Sequence, residues 1–415
     1  MLAERERGRE GEREKRREGE RERGREKDPP FALSPFRSFA LSPFLPLRFT
    51  TNKGSESFHA RLLISILLLG LAACDSGGGE ENPGATGTVD ACIVPRDQFA
   101  DGGVGKDGIP ALTDPPFVDP ETATYLADTD RVIGFMVDGE AFAVPHNILW
   151  NHEIANLNFP TIRLAVTYCP LTGSSMVFDR AAIGGGEFGG SGLLFQNNLT
   201  MYDRTSSESI WPQMSRRVAC GPRLGAELKM IPVIEMTWAG WKALHPDTKV
   251  ASDDTGYGWS YTAANYPYGN YEDPDDDGLL FPMEIDPRRR PKERLLGIPD
   301  DRLGGTAFPF FELDANGPVQ AVHESVAGTP VVVFWDRAVQ GAMAYQPRLD
   351  GQPLTFEARE GRLVDVETQS EWRIDGTAIA GPLAGARLEP VAEAFVAFWF
   401  AWAAFHPETR IWEGE

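Results

Sequence analysis

The chain has 415 residues, 42% of them hydrophobic, with 61 Asp and Glu against 40 Lys and Arg and a formal net charge of −21. So acidic a body repels nucleic acid and anionic lipid head groups, which excludes nucleic-acid binding and makes cations its natural small partners. The length suffices for a full core, in one large domain or two smaller ones.

Residues 1–46 read as a low-complexity extension. Glu4 to Lys27 is almost entirely Glu, Arg, Lys and Gly, and Phe31-Ala32-Leu33-Ser34-Pro35-Phe36 returns as Phe39-Ala40-Leu41-Ser42-Pro43-Phe44. It offers no apolar face to bury. Residues 47–73 read as a lipoprotein signal peptide. Arg48, Lys53 and Arg61 make a basic start, Leu62–Leu69 is an apolar run too short to span a bilayer, and small residues lead into Cys74. Signal peptides work at the amino terminus, so translation is expected to begin near Leu47 and the extension to be missing from the mature protein. Cys74 then carries lipid, which attaches the protein to a membrane of the cell envelope. Asp75 resembles the retention signal of enteric lipoproteins, which leans the location to the periplasmic face of the inner membrane over the outer membrane. From Cys74 onward there are 25 basic and 50 acidic residues, a net of −25. Residues 74–88, rich in Gly, read as a flexible tether.

The body reads mostly as strands. Val132–Val144 alternates around Asp138-Gly139, a hairpin signal. Ile162–Tyr168, Ser174–Phe178 and Leu193–Tyr202 are further strands, and Gly184–Gly192 reads as a mobile turn. Val331–Trp335, Ala342–Tyr345 and Leu354–Ala358 repeat that texture. Helices are expected over Ile234–Leu244 and Ala392–Phe405, stopped by Pro246 and Pro407. The pattern W-x-x-W-x-x-x-H-P-[DE]-T starts at Trp238 and again at Trp399. Gly221-Pro222 and Gly225-Ala226 match Gly381-Pro382 and Gly385-Ala386, and His152-Glu153 aligns with His323-Glu324. The fold class is therefore strand-rich α+β, with two diverged internal repeats sharing one core. The first covers residues 89–300, with an N-terminal segment and an Asp-rich loop, and the second 301–412. Each repeat reads as an antiparallel sheet unit ending in a helix.

Lys106-Asp107-Gly108-Ile109-Pro110-Ala111-Leu112, His152-Glu153-Ile154, Thr167-Tyr168-Cys169-Pro170-Leu171-Thr172-Gly173, Phe188-Gly189-Gly190-Ser191-Gly192 and Met201-Tyr202-Asp203-Arg204 form a recognisable set. Together with the Trp-to-Thr helix ends they resemble an exported bacterial family, domain of unknown function 3179, over nearly all of 92–412. The resemblance implies no established activity. In many members Tyr-Cys-Pro-Leu is followed by a second Cys. Thr172 stands at that position here, which weakens any dithiol or two-thiolate metal site.

Three residues are candidates for catalysis. Cys169 follows a strand, has no Cys counterpart in the second half, and with His152 nearby reads as a nucleophile or soft metal ligand. His245 is the third; its simpler role, shared with His406, is a cationic cap on the last helical turn. Cys92, Cys169 and Cys220 allow one disulfide plus a free thiol, or three thiols. The thiol reading requires Cys169 free and acidified, with Cys92 and Cys220 paired. Asp273, Asp275, Asp277 and Glu284 match the calcium-loop spacing D-x-D-x-D-G-x₅-E, without the flanking helices. Two functions stay open. One is a lipid-anchored binding or scaffold module of the envelope, stabilised by calcium. The other is a thiol-dependent enzyme or metal-handling protein centred on Cys169 and His152. The sequence names no protein or small-molecule partner.

Overall fold

The computed structural model describes residues 91–300 and 304–414, which lie in one unit spanning Pro83–Glu415. The extension, the signal peptide, Cys74 and the tether fall outside the described residues.

Three short strands lead in: β1 (Phe99–Asp101), β2 (Leu112–Thr113) and β3 (Phe117–Val118). The alternating run then folds as the expected hairpin, β4 (Arg131–Val137) and β5 (Glu140–Pro145). Asp138 and Gly139 take φ of 51° and 85°, the positive values a type I′ turn needs. A helix covers His146–His152. β6 (Ile154–Asn158), β7 (Arg163–Cys169) and β8 (Ser174–Asp179) form a meander, and β9 (Phe188–Phe195) and β10 (Asn198–Asp203) a second hairpin. β11 (Ile210–Pro212) and β12 (Lys229–Met230) precede β13 (Ile234–Thr237), a helix over Trp238–Leu244, and β14 (Lys249–Ala251).

A similar order follows the Asp-rich loop. β15 (Arg294–Pro299) and β16 (Gly305–Pro309) pair, a helix covers Phe310–Ala315, and β17 (Val319–Val326), β18 (Thr329–Asp336) and β19 (Gly341–Tyr345) form a meander. The short pair β20 (Arg348–Leu349) and β21 (Gln352–Pro353) leads to a sheet of β22 (Phe356–Arg359), β23 (Arg362–Asp365), β24 (Glu371–Trp372) and β25 (Ala378–Ala380). β26 (Phe395–Phe398), a helix over Trp399–Phe405 and β27 (Arg410–Ile411) complete the chain.

β13, β4, β5 and β14 lie side by side, with the last pair parallel and the others antiparallel. β26, β15, β16 and β27 do the same. Both quartets are therefore mixed, not purely antiparallel as expected. In each, a tryptophan of the following helix presses on a glycine: a Cβ on Gly134 would lie 2.4 Å from Trp241, and one on Gly297 2.2 Å from Trp402. The indole N–H of Trp241 donates to the Thr248 hydroxyl at 2.8 Å, that of Trp402 to Thr409 at 2.9 Å. Asp203 accepts from the Trp211 indole, and Asp365 from Trp372, both at 2.9 Å.

Each quartet is tied to residues of the other half. Thr237 N donates to Val339 O at 2.9 Å, and Phe398 N to Thr172 O at 2.8 Å. β26 meets β8 through Val396 and Ser175, which merges strands from both sides of residue 301 into one nine-stranded sheet. One apolar cluster holds Phe135, Trp241, Val332, Phe334 and Trp372 together.

Four expectations change. The two helices begin later than expected, at Trp238 and Trp399, because the apolar residues before them pair as β13 and β26. Thr237 caps the first of them by accepting from Gly240 N at 3.3 Å. Leu193–Tyr202 is two strands joined by a tight turn at Gln196 and Asn197, with φ of 53° and 60°. Phe188–Gly192 belongs to β9, not to a mobile turn. His152 and His323 are not equivalent: His152 ends a helix, whereas His323 lies inside β17 opposite Val332.

Candidate functional site

Cys169 ends β7 and is fully buried. Cys92 and Cys220 form a disulfide, so among the described residues Cys169 is the free thiol. Its Sγ accepts from Leu199 N at 3.2 Å and lies 3.9 Å from Asn197 O. Burial pushes the thiol up to about 11, reinforced by the Glu153 carboxylate; hydrogen bonds from Thr172 and Leu199 pull the other way without prevailing. That is opposite to the acidified thiol the nucleophile reading requires.

His152 bonds elsewhere. Its Nδ1 donates to Pro110 O at 2.8 Å and its Nε2 accepts from the Tyr261 hydroxyl at 2.7 Å. The tautomer follows from the partners, since a carbonyl can only accept. Trp259 stacks on the ring, with centroids 5.1 Å apart. Burial lowers His152 to about 4, so it is neutral at pH 7. His245 caps its helix through its backbone N–H to Trp241 O, at 2.9 Å. Its ring packs against Trp241 with centroids 4.3 Å apart, and Nε2 lies 3.8 Å from Asp375. Burial lowers its pKa and Arg373 and Arg387 add to this, against the pull of Asp375. The ring is thus a packed, neutral group in place of the expected cationic cap. Cys169, His152 and His245 share no hydrogen-bond partner.

The 273–284 loop is occupied with its own ion pairs. Asp275 pairs with Arg290, and Asp276 lies 3.4 Å from the buried Lys292. Asp273 accepts from Asp275 N at 2.9 Å. Asp273, Asp275, Asp277 and Glu284 are all exposed. Among the described residues no three His, Cys, Asp or Glu side chains gather as a metal site would need.

Sequence reasoning missed the densest polar cluster, around Glu235. This residue lies in β13 and is 1% exposed. Arg131, the first residue of β4, donates to its Oε1 at 2.6 Å, and Arg294, the first residue of β15, at 3.2 Å. Ser175 donates to Oε2, and His146 Nε2 lies 3.5 Å from Oε2 and 3.2 Å from the Ser175 hydroxyl. Arg294 continues to Glu272 at 2.9 Å, which also accepts from Tyr168 at 2.8 Å. Burial alone would raise the Glu235 carboxyl, but Arg131, His146 and Arg294 outweigh it and hold the group well below the usual carboxylate range. Two arginines balance two glutamates, which is how a buried charge is tolerated. Ser, His and Glu meet here, yet they do not form a nucleophile–base–acid relay. Ser175 spends its proton on Glu235, and its oxygen is shut away from solvent. The cluster is built to tie β4, β13 and β15 together.

The Lys106–Leu112 motif forms a strap across the first half. Lys106 pairs with Glu208 at 2.5 Å, and Asp107 accepts from Arg204 at 2.8 Å and from Tyr202. Two of the family-like motifs thus meet, and His152 fastens the strap at Pro110.

The chain belongs to a protein family of unknown function, DUF3179, whose model matches residues 106–409. Neither a curated protein nor a solved structure matches it.

Proposed function

We propose that this chain is a lipid-anchored binding module of the cell envelope, made of two diverged repeats sharing one core. The observation that carries the choice of class is the state of Cys169: buried, its pKa pushed up to about 11, and out of contact with His152. A thiol-dependent enzyme or metal-handling protein needs an accessible, acidified thiol. The repeat reading is supported by the matched strand orders, the Gly134–Trp241 and Gly297–Trp402 contacts, and the paired Asp–Trp bonds. The anchor is supported by the apolar run and small residues before Cys74.

Alkylation tests the class. Iodoacetamide should label Cys169 far more slowly in the folded protein than in urea, at every pH from 7 to 9. Equal rates in the two states would favour the enzyme. The mature protein should partition with membranes and Cys74→Ser should stop processing, while envelope protein still carrying residues 1–73 would contradict the anchor. A calcium-closed loop rests on the Asp273–Glu284 spacing alone, and calcium would have to displace Arg290 from Asp275. Calcium at a hundred times its dissociation constant would add about 2.7 kcal/mol of stability. A melting temperature unchanged between millimolar calcium and chelator would remove calcium from the proposal.

A further inference from the structure

In the first half, a gap between two sheet edges is covered by the chain itself. Asp107 N donates to Gly190 O of β9 at 2.8 Å. Five residues on, β2 pairs in parallel with β6, Leu112 against Ala155 and Thr113 against Asn156. Asp114 N then donates to Asn156 O at 2.8 Å. The strap thus runs from one edge to the other and buries Ala111 and Leu112. Beneath it, Asn156 staples the two edges together by accepting from Phe188 N at 2.9 Å.

The second half has the same gap and the same kind of staple. His323 stands opposite Val332 as Asn156 stands opposite Ala165. His323 Nε2 accepts from Phe356 N at 2.8 Å, and Phe356 pairs with Asp365 as Phe188 pairs with Asp203. Here no strand crosses: among the described residues β17 and β22 are both edge strands of their sheets. Between them lies a groove of about 490 Å³, lined by Gln320, Ala321, His323, Phe356, Glu357 and Ala358 among others. Asn156 is fully buried, whereas its counterpart His323 is exposed.

We propose that this groove docks an extended, cationic peptide segment of a partner protein, which takes the place the strap takes in the first half. The proposal rests on the binding-module reading and on the equivalence of the two halves. An open strand edge pairs readily with an added strand, whose main chain supplies affinity and whose alternate side chains supply specificity. The strap shows that this geometry accepts an extended chain with small and apolar side chains. Charge sets the partner's sign: Glu357 is the one charged residue lining the groove, neither Lys nor Arg lines it, and the chain carries a net −21. Arg359 pairs with Glu357 from just outside the lining and would have to be displaced by the incoming cation.

The probe is a labelled decapeptide with the sequence of residues 105–114 carrying Asp107→Lys and Asp114→Lys, titrated into the disulfide-bonded protein. It should saturate, and more tightly than the unmodified sequence or a scrambled cationic one. Ala358→Trp, at an exposed position on the groove wall, should weaken it by about tenfold or more. Glu357→Lys should reverse the preference between the cationic and unmodified peptides. Calorimetry on both variants checks that they fold. Absence of saturation, equal binding of the scrambled peptide, or binding indifferent to both substitutions would overturn the groove. Displacement of the first-half strap would show as binding that neither variant alters. The alkylation of Cys169 keeps the two readings apart. A slow thiol with no peptide binding removes the groove alone, and a fast thiol removes the module reading whatever the peptide does.

Discussion

Glu153 is a buried carboxyl shifted by burial alone. It sits just past the first helix at φ 56° and is 7% exposed. Burial raises its carboxyl to about 8. Unfolded, the same group ionises near 4.5, so the unfolded chain gives up its proton first and stability falls as pH rises from 4.5 to 8. Glu153→Gln should therefore stabilise the protein by on the order of 2–3 kcal/mol at pH 7, with the gain vanishing towards pH 4.5. Urea melts at several pH values measure this, and a gain independent of pH would contradict it. His152 and His406 act in the other sense. Burial lowers both to about 4, so below 6.5 only the unfolded imidazoles take up protons and stability falls on acidification. Cys169 was legible as a candidate thiol with no counterpart in the second half, while its pairing stayed open until the Cys92–Cys220 disulfide was in place. The burial of Cys169 was not legible, because that is set by Leu199, which returns from a hairpin thirty residues away.

At the scale of elements, sequence signals succeeded where local chemistry dictates the turn. Asp138-Gly139 fixes its hairpin by itself. Gln196-Asn197 makes an equally tight turn, but it lacks the glycine that marks Asp138-Gly139, so two strands read as one. The short helices were overextended because Phe395–Phe398 is apolar throughout and Ile234–Thr237 is only four residues of mixed polarity, and periodicity does not separate so short a strand from a helix. The tryptophan signature was legible, but not its use as a lid on Gly134 and Gly297. Gly134→Ala and Gly297→Ala should each cost about 1–3 kcal/mol, because the added methyl meets a ring that is itself fully packed. Chemical denaturation of each variant checks this. A neutral substitution at either position would mean that the ring has room to move.

The whole molecule depends on long-range pairs that no local pattern announces. Glu235 finds Arg131 104 positions upstream and Arg294 59 downstream. A single glutamate in an apolar strand reads as solvent-facing until its partners are in place. Removing it leaves two half-buried guanidinium groups without their shared partner. Glu235→Gln should cost about 3 kcal/mol or more. Because the carboxyl is held well below 4.5, the stability it supplies is present above that pH and lost as pH falls further. The variant should therefore lose the acid-side decline that this group causes. The exchanged bonds Thr237 to Val339 and Phe398 to Thr172, with the sheet that joins β8 to β26, make each half depend on the other. The most direct measurement is calorimetry on the disulfide-bonded chain from residue 74 carrying Cys74→Ser. Interlocked halves predict one transition, with the calorimetric enthalpy equal to the van't Hoff enthalpy. Two separated transitions, one of which survives Glu235→Gln unchanged, would contradict it.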